Sequence, residues 1–150
     1  MQRKRTSKFK QGIFNPSNPD KYKGTLPILY RSSYELKYMR WCDHNPAVIK
    51  WGSESIIIPY QNPLTGSVSR YFVDSNITLK TKEGDFKKYL IEIKPSVQTL
   101  PPKPGKNTRS LLKRQAEYVK NRAKWEAATQ WAKNKGYEFT ILTERELGIK

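Results

Sequence analysis

The chain has 150 residues, 36% of them hydrophobic and 12% aromatic, which is sufficient for one modest core. Lysine and arginine number 29 against 13 aspartates and glutamates, so the net charge is +16, and a polyanion such as nucleic acid is the expected partner rather than an anionic membrane. No apolar run approaches the roughly 20 residues that cross a bilayer, and no secretory signal is expected. A single cysteine and a single histidine argue against a disulfide or a zinc site and favour a reducing, intracellular compartment.

Residues 1–24 are predicted to be a basic arm and residues 25–150 one folded domain. The arm has seven basic residues against one aspartate, and its prolines interrupt regular structure. This composition fits a loose tail or a DNA-grasping segment equally well. Part of the arm is expected to pack on the domain through its apolar residues, which are Phe9, Ile13, Phe14 and Tyr22.

A helix is predicted over residues 33–43, because a serine can cap its start and Asn45-Pro46 ends it. Its expected core face contains Tyr34, Tyr38, Trp41 and Cys42. Strands at 48–60, 70–80 and 86–94 are separated by turn sequences, and they are predicted to form an antiparallel meander.

Residues 95–104 contain four prolines and are predicted to be an irregular loop. A long helix over 108–135 should end at Gly136. A strand at 139–142 and a helical turn opened by a capping box at 143–146 complete the chain. The apolar stripe predicted for the long helix is Leu112, Ala116, Val119, Ala123, Ala127 and Trp131.

Three charged residues on the second and third strands are the candidate catalytic group: Asp74, Glu92 and Lys94. Side chains at i and i+2 of a strand share a face, so Glu92 and Lys94 point one way while Ile91 and Ile93 point to the core. A hairpin that brings Asp74 beside Glu92 would gather all three. Such a pattern alone is more often a solvated face, but apolar flanks and a scarcity of acids favour an active site here.

The chemistry expected of this group is metal-dependent phosphodiester hydrolysis. Asp74, Glu92 and the backbone carbonyl of Ile93 offer the oxygen ligands that Mg²⁺ prefers, with Mn²⁺ as a substitute. A metal there would polarise a phosphate oxygen and activate water, and Lys94 would position the water or stabilise the developing charge. Glu35 is a further candidate ligand or water-orienting group, although a lone helix glutamate is usually only solvated.

A DNA-binding surface is predicted on the proline loop and the long helix. Eight basic residues against one acid, Glu117, lie between residues 103 and 124. They would grip phosphates without reading sequence, and a solvated helix face is the alternative. The predicted DNA-binding residues are Lys103, Lys106, Arg109, Lys113, Arg114, Lys120, Arg122 and Lys124.

Six segments, in order over residues 25–147, resemble the head-completion nucleases of T-even-like phages, a family similar to the end-cleaving nuclease subunit of certain transposons. The segments are Tyr30-Arg31-Ser32-Ser33-Tyr34-Glu35, Trp51-Gly52-Ser53-Glu54, Ile58-Pro59-Tyr60, Arg70-Tyr71-Phe72-Val73-Asp74, Ile91-Glu92-Ile93-Lys94-Pro95 and Ile141-Leu142-Thr143-Glu144. The resemblance implies the PD-(D/E)xK class and a restriction-endonuclease-like α/β core. This core is a mixed sheet with an antiparallel three-strand meander, flanked by an N-terminal helix and a long C-terminal helix.

The resemblance also implies Glu35, Asp74, Glu92 and Lys94 as the active-site set with Mg²⁺. It implies a role late in phage head assembly on packaged DNA ends, with phage head or portal and neck proteins as partners, in the host cytoplasm and in association with the virion. Val73 stands where the class has its proline. The rival interpretations are a non-catalytic DNA-binding assembly protein that retains the fold and, more weakly, an RNA-binding protein.

Overall fold

The computed structural model describes residues 11–149. It contains three α-helices, α1 (Ser33–His44), α2 (Arg109–Lys135) and α3 (Glu144–Leu147). Its strands are β1 (Gly12–Ile13), β2 (Leu29–Tyr30), β3 (Val48–Ser53), β4 (Ile57–Gln61), β5 (Val68–Phe72), β6 (Ser75–Lys80), β7 (Phe86–Ile93) and β8 (Tyr137–Leu142). No helix in this part of the chain is both long enough and apolar enough to cross a bilayer.

The central sheet has four strands in the order β3-β6-β7-β8. The first three are antiparallel neighbours, and β8 pairs parallel to β7. One hydrophobic cluster includes Tyr38 and Cys42 of α1, and a second includes Trp125 and Ala128 of α2. The predicted fold is thereby confirmed: a mixed α/β sheet with an antiparallel three-strand meander, an N-terminal helix and a long C-terminal helix.

Two of the predicted strands are each divided in the structure. The predicted strand 48–60 becomes β3 and β4, separated near Glu54, which has a positive φ of 52°. The predicted strand 70–80 becomes β5 and β6. Strands β4 and β5 form their own two-stranded hairpin, because Ile58, Tyr60 and Tyr71 pack with α2 in the second cluster instead of extending the central sheet.

The described part of the predicted arm packs on the domain through aromatic contacts. The rings of Phe14 and Tyr22 meet the Trp51 ring edge-on, with centroids 6.0 and 4.8 Å away. Both are buried, as predicted, whereas Ile13 is exposed. Phe9 and the arm's first five basic residues lie outside the described residues, and the domain boundary after residue 24 stays a prediction.

A buried carboxylate also holds this segment. Asp43, at the end of α1, is only 1% exposed. Its two side-chain oxygens accept hydrogen bonds from the backbone N–H groups of Ser17 and Asn18 at 2.7 and 2.9 Å. Hydrogen bonds to a buried carboxylate satisfy its charge. These two hydrogen bonds explain why an aspartate is buried at the end of α1.

The predicted core faces of both long helices need correction. On α1, Trp41 is exposed and Met39 is buried in its place. On α2, Leu112 and Val119 are exposed, so the predicted stripe is wrong over the first half of the helix. The buried residues of α2 are Leu111, Asn121, Trp125, Ala128 and Ala132. Its contact face is set by the positions of β8 and β4, with which α2 makes most of its contacts, and not by hydropathy alone.

The ends of the C-terminal elements follow the sequence closely. The Thr108 side chain caps α2 by accepting from the backbone N–H of Leu111, and Gly136 ends the helix with a φ of 78°. The capping box at α3 is present. The backbone N–H of Thr143 donates to the Glu146 carboxylate at 3.0 Å, and the Thr143 side chain accepts a hydrogen bond from a backbone N–H of the first turn. Within the predicted proline loop, Ser96–Thr99 form a short 3-10 turn.

Candidate active site

Strand register brings the two candidate carboxylates together. Ser75 of β6 pairs with Ile91 of β7, so in antiparallel strands Asp74 lies beside Glu92. The Oδ2 atom of Asp74 accepts a hydrogen bond from the backbone N–H of Ile93 at 2.8 Å. Asp74 occupies the point where the chain passes from the β4–β5 hairpin into the central sheet, which fixes its position from both sides.

Glu92 lies on the face of β7 that packs against α2. It is 4% exposed, and its neighbour on the same face, Leu90, is fully buried. The indole Nε1 of Trp125 donates a hydrogen bond to Glu92 Oε2 at 2.7 Å. Both faces of β7 are therefore packed, and the carboxylate of Glu92 is held by a side chain 33 residues further along the chain.

Burial is the main cause that raises the pKa of Asp74 well above its usual range, and repulsion from the neighbouring Glu92 carboxylate raises it further. Two carboxylates cannot both ionise easily in so dry a site. A divalent cation between them would remove this repulsion, and carboxylate oxygens are ligands that Mg²⁺ accepts. The carboxylate oxygens of Asp74 and Glu92 thus suit a cation such as Mg²⁺, which keeps several of its water ligands.

The backbone of Ile93 lies at the same edge as the Asp74 carboxylate. The N–H and C=O groups of one strand residue point to the same side of the strand. Since the N–H of Ile93 faces Asp74, its carbonyl is directed to the same edge. Within residues 11–149, however, no three Asp, Glu, His or Cys side chains are grouped closely enough to hold a metal ion, so any cation would depend on backbone and water ligands.

Glu35 lies in the first turn of α1. Its backbone N–H donates to the capping Ser32 side chain at 3.1 Å, and its carboxylate is half-buried. Burial is the largest cause that raises the pKa of Glu35, and the Glu35 charge in turn contributes to the raised pKa of Asp74. Glu35 thus faces the same region as Asp74 but does not form a three-carboxylate cluster with it and Glu92.

Lys94 follows β7 directly and is half-buried. Its backbone N–H donates to Leu142 O of β8 at 3.0 Å. The loop after it is fastened by Glu144, whose carboxylate accepts from the backbone N–H of Ser96 at 2.7 Å. On α2, the hydrogen bond from Lys120 is the largest cause that lowers the pKa of Glu117. The charge of Lys94 also contributes to this lowering.

Several side chains at the site were not assigned to it from the sequence. The contact of Trp125 with Glu92 is not evident from the sequence, although a tryptophan within a polar helix is a signal of burial. Glu54 forms an ion pair with Arg31, and its backbone N–H donates to Asp74 O at 3.2 Å. The hydrogen bond with Glu54 is the largest cause that raises the pKa of Arg31. The charges of Glu54, Glu35 and Asp74 raise it further.

The predicted DNA-binding residues fall into two environments. Lys120 and Lys124 are half-buried on the side of α2 near Glu92 and Lys94. At 3.6 residues per turn, Arg109 and Lys113 share their side of the helix, whereas Arg122 lies on the other side. The six exposed members of the set are Lys103, Lys106, Arg109, Lys113, Arg114 and Arg122.

The mixed sheet, with Asp74 beside Glu92 at the junction of β5, β6 and β7, defines a nuclease domain with a restriction-endonuclease-like core. A family model described as "TnsA-like endonuclease N terminal" matches residues 45–144, and the chain belongs to this endonuclease family. The matched region contains Asp74, Glu92 and Lys94 but not Glu35.

A particular relative is the head completion nuclease of Enterobacteria phage T4. It is 40% identical over 148 residues, which cover 93% of this chain and 96% of the relative. Both resemblances expected from the sequence, to phage head-completion nucleases and to a transposon nuclease subunit, are thereby confirmed.

Proposed function

We propose that this protein is a metal-dependent DNA endonuclease that hydrolyses phosphodiester bonds during completion of a phage head, acting on packaged DNA ends. The observation that carries the proposal is that Asp74 lies beside Glu92, and that Lys94 follows Glu92 by two residues in the chain. The name of the T4 relative supports the setting, and the charge of +16 suits a DNA substrate.

Each active-site residue has a distinct part in this proposal. Asp74, Glu92 and the Ile93 carbonyl would hold Mg²⁺, for which Mn²⁺ can substitute, and Glu35 would orient a water of that metal. When bound, the metal supplies Lewis-acid polarisation of the phosphate and a more acidic water. Lys94 positions the attacking water and stabilises charge on the phosphate oxygens. Trp125 keeps the Glu92 carboxylate in one orientation through its hydrogen bond.

The proposed biological partners follow from the same reasoning. DNA is the substrate, and phage head, portal or neck proteins are the proposed protein partners. The protein would act in the host cytoplasm during head assembly and remain associated with the virion. These assignments rest on the head-completion role in the name of the T4 relative, together with the basic charge.

The proposal is tested by incubating the purified protein with supercoiled plasmid and with linear duplex DNA, in Mg²⁺, Mn²⁺ or EDTA. Nicking or cutting is expected with either metal and not with EDTA. A Lys94→Ala variant should bind DNA but cleave it at least about 10²-fold more slowly. Binding without cleavage under every condition would instead favour the non-catalytic assembly protein.

Neutralising the exposed basic side chains should weaken DNA binding and flatten its dependence on salt. In a variant with Arg109, Lys113 and Arg114 changed to glutamine, we expect the slope of log K against log salt to fall by about 1 per lost phosphate contact. Fluorescence anisotropy with labelled duplex DNA at several salt concentrations measures this slope. The matched control removes three exposed charges elsewhere, at Lys82, Lys133 and Lys135, and should leave the slope nearly unchanged. Equal slopes for both variants would disprove the assignment of this surface.

A further inference from the structure

Lys124 differs from most of the basic residues around it. Six of the eight predicted DNA-binding residues are exposed, whereas the Lys124 side chain is half-buried. It directly precedes Trp125, whose indole donates to Glu92. The charge of Glu92 acts on Lys124, so this side chain lies near the proposed catalytic carboxylate and not on the outer basic surface.

Two aromatic rings of the β4–β5 hairpin support its ammonium group. The Nζ atom of Lys124 lies 5.5 Å from the centroid of the Tyr71 ring and 5.9 Å from that of Tyr60. Both distances are within the range of a cation–π contact. Since the two tyrosines are buried in the cluster that packs α2 against the hairpin, they form a rigid base for a side chain that is otherwise flexible.

The charges around Lys124 leave it without a carboxylate partner. Glu117, about two turns earlier, forms a salt bridge with Lys120 at 3.0 Å, and Lys124 forms none with any carboxylate among residues 11–149. The charges of Glu92, Lys94 and Lys120 all act on the Lys124 ammonium group. A half-buried cation in this position, beside a second lysine, is suited to an anion that the protein itself does not provide.

A buried hydroxyl group at the same place supports this interpretation. Tyr71 is only 3% exposed, and its hydroxyl lies within reach of the Glu92 carboxylate. Burial raises its pKa, with further contributions from Glu92 and Asp74, so the hydroxyl lies within the field of the active-site carboxylates. A hydroxyl in this place can donate to Glu92 or to a phosphate oxygen that binds beside Lys124.

We propose that Lys124 is a second active-site lysine, which contacts the phosphate being cleaved from the side of α2 while Lys94 approaches it from β7. In the reaction a water oxygen bonds to phosphorus, one P–O ester bond breaks, and the proton lost by the water balances the leaving oxygen. Negative charge builds on the non-bridging oxygens during this step, and a fixed cation nearby stabilises it. This inference rests on the proposed nuclease function.

The test compares Lys124→Met, Lys124→Arg and Lys133→Gln with the wild-type protein. Methionine keeps an unbranched side chain over the two rings and removes the charge, whereas arginine keeps the charge. Lys133→Gln provides the control, because it removes one exposed positive charge from the opposite side of the same helix. Single-turnover cleavage of linear duplex DNA in Mg²⁺ gives the rate, anisotropy in EDTA gives the affinity, and thermal melts show that each variant is folded.

Lys124→Met is expected to cleave about 10²-fold more slowly than the wild type, while its affinity for DNA falls by less than about fivefold. Lys124→Arg should recover much of the lost rate, and Lys133→Gln should cleave nearly as fast as the wild type. A folded Lys124→Met variant with wild-type rate, or with a rate and an affinity reduced equally, would overturn the proposal for Lys124 alone. Absence of metal-dependent cleavage by the wild type would overturn the nuclease function, and the role of Lys124 with it.

Discussion

An Asp74→Asn variant is expected to lose at least about 10³-fold in DNA cleavage while its folded state becomes as stable as the wild type or more so. The loss follows from removing one of two carboxylates that would hold the metal. The amide oxygen can still accept the hydrogen bond from Ile93 N–H, so the local structure should be retained. Activity and stability are thus expected to change in opposite directions, which a simple folding defect cannot produce.

The gain in stability has an electrostatic cause. The pKa of Asp74 is raised in the folded state, so the folded protein holds a proton more tightly than the unfolded chain, whose aspartates titrate near 3.9. Stability therefore falls as the pH rises from that value through the folded pKa of Asp74. Asparagine does not ionise, and its variant escapes this loss at neutral pH.

Urea unfolding in EDTA at pH 7 measures the stability, and plasmid nicking in Mg²⁺ measures the activity. Asp85→Asn is the matched control, because Asp85 is an exposed aspartate in the turn between β6 and β7 and should change neither quantity. Wild-type cleavage by Asp74→Asn would exclude this carboxylate from the active site. A clear loss of stability would show instead that the ionised side chain supports the fold.

Replacing Trp51 by alanine is expected to lower the free energy of unfolding by about 3–5 kcal/mol. Trp51 is 0% exposed and lies in β3 beneath the edge-on rings of Phe14 and Tyr22. Its indole Nε1 has no hydrogen-bond partner among the described residues, so the loss comes from packing and the cavity that remains. The expected consequence is release of the segment that contains both aromatic residues.

Urea unfolding followed by circular dichroism measures this effect, and trypsin cleavage after Lys21 or Lys23 reports release of the segment. The control is Trp41→Ala, because Trp41 is 45% exposed on α1 and its loss should cost no more than about 1 kcal/mol. Equal destabilisation by the two substitutions would disprove the packing role of Trp51. Unchanged trypsin resistance would show that the segment is held mainly by Asp43.

Local patterns in the sequence determined much of this protein. The caps of α1, α2 and α3 follow from single side chains that bond the nearest free backbone groups. Alternation along β7 placed Glu92 and Lys94 on one face, and the turns between strands predicted the antiparallel pairing that sets Asp74 beside Glu92. Interactions of this kind involve residues close in sequence or joined by one hairpin, so they can be predicted from one sequence. The catalytic roles of these residues remain predictions.

The tertiary structure alone decided which surfaces meet around the site. Hydropathy placed the contact face of α2 on Leu112 and Val119, but the contacts with β8 and β4 expose both residues. The hydrogen bond from Trp125 to Glu92 joins residues 33 apart, and the aromatic support of Lys124 comes from a hairpin that precedes it by more than 50 residues. No local periodicity contains such information, because it arises only when separate elements pack against each other.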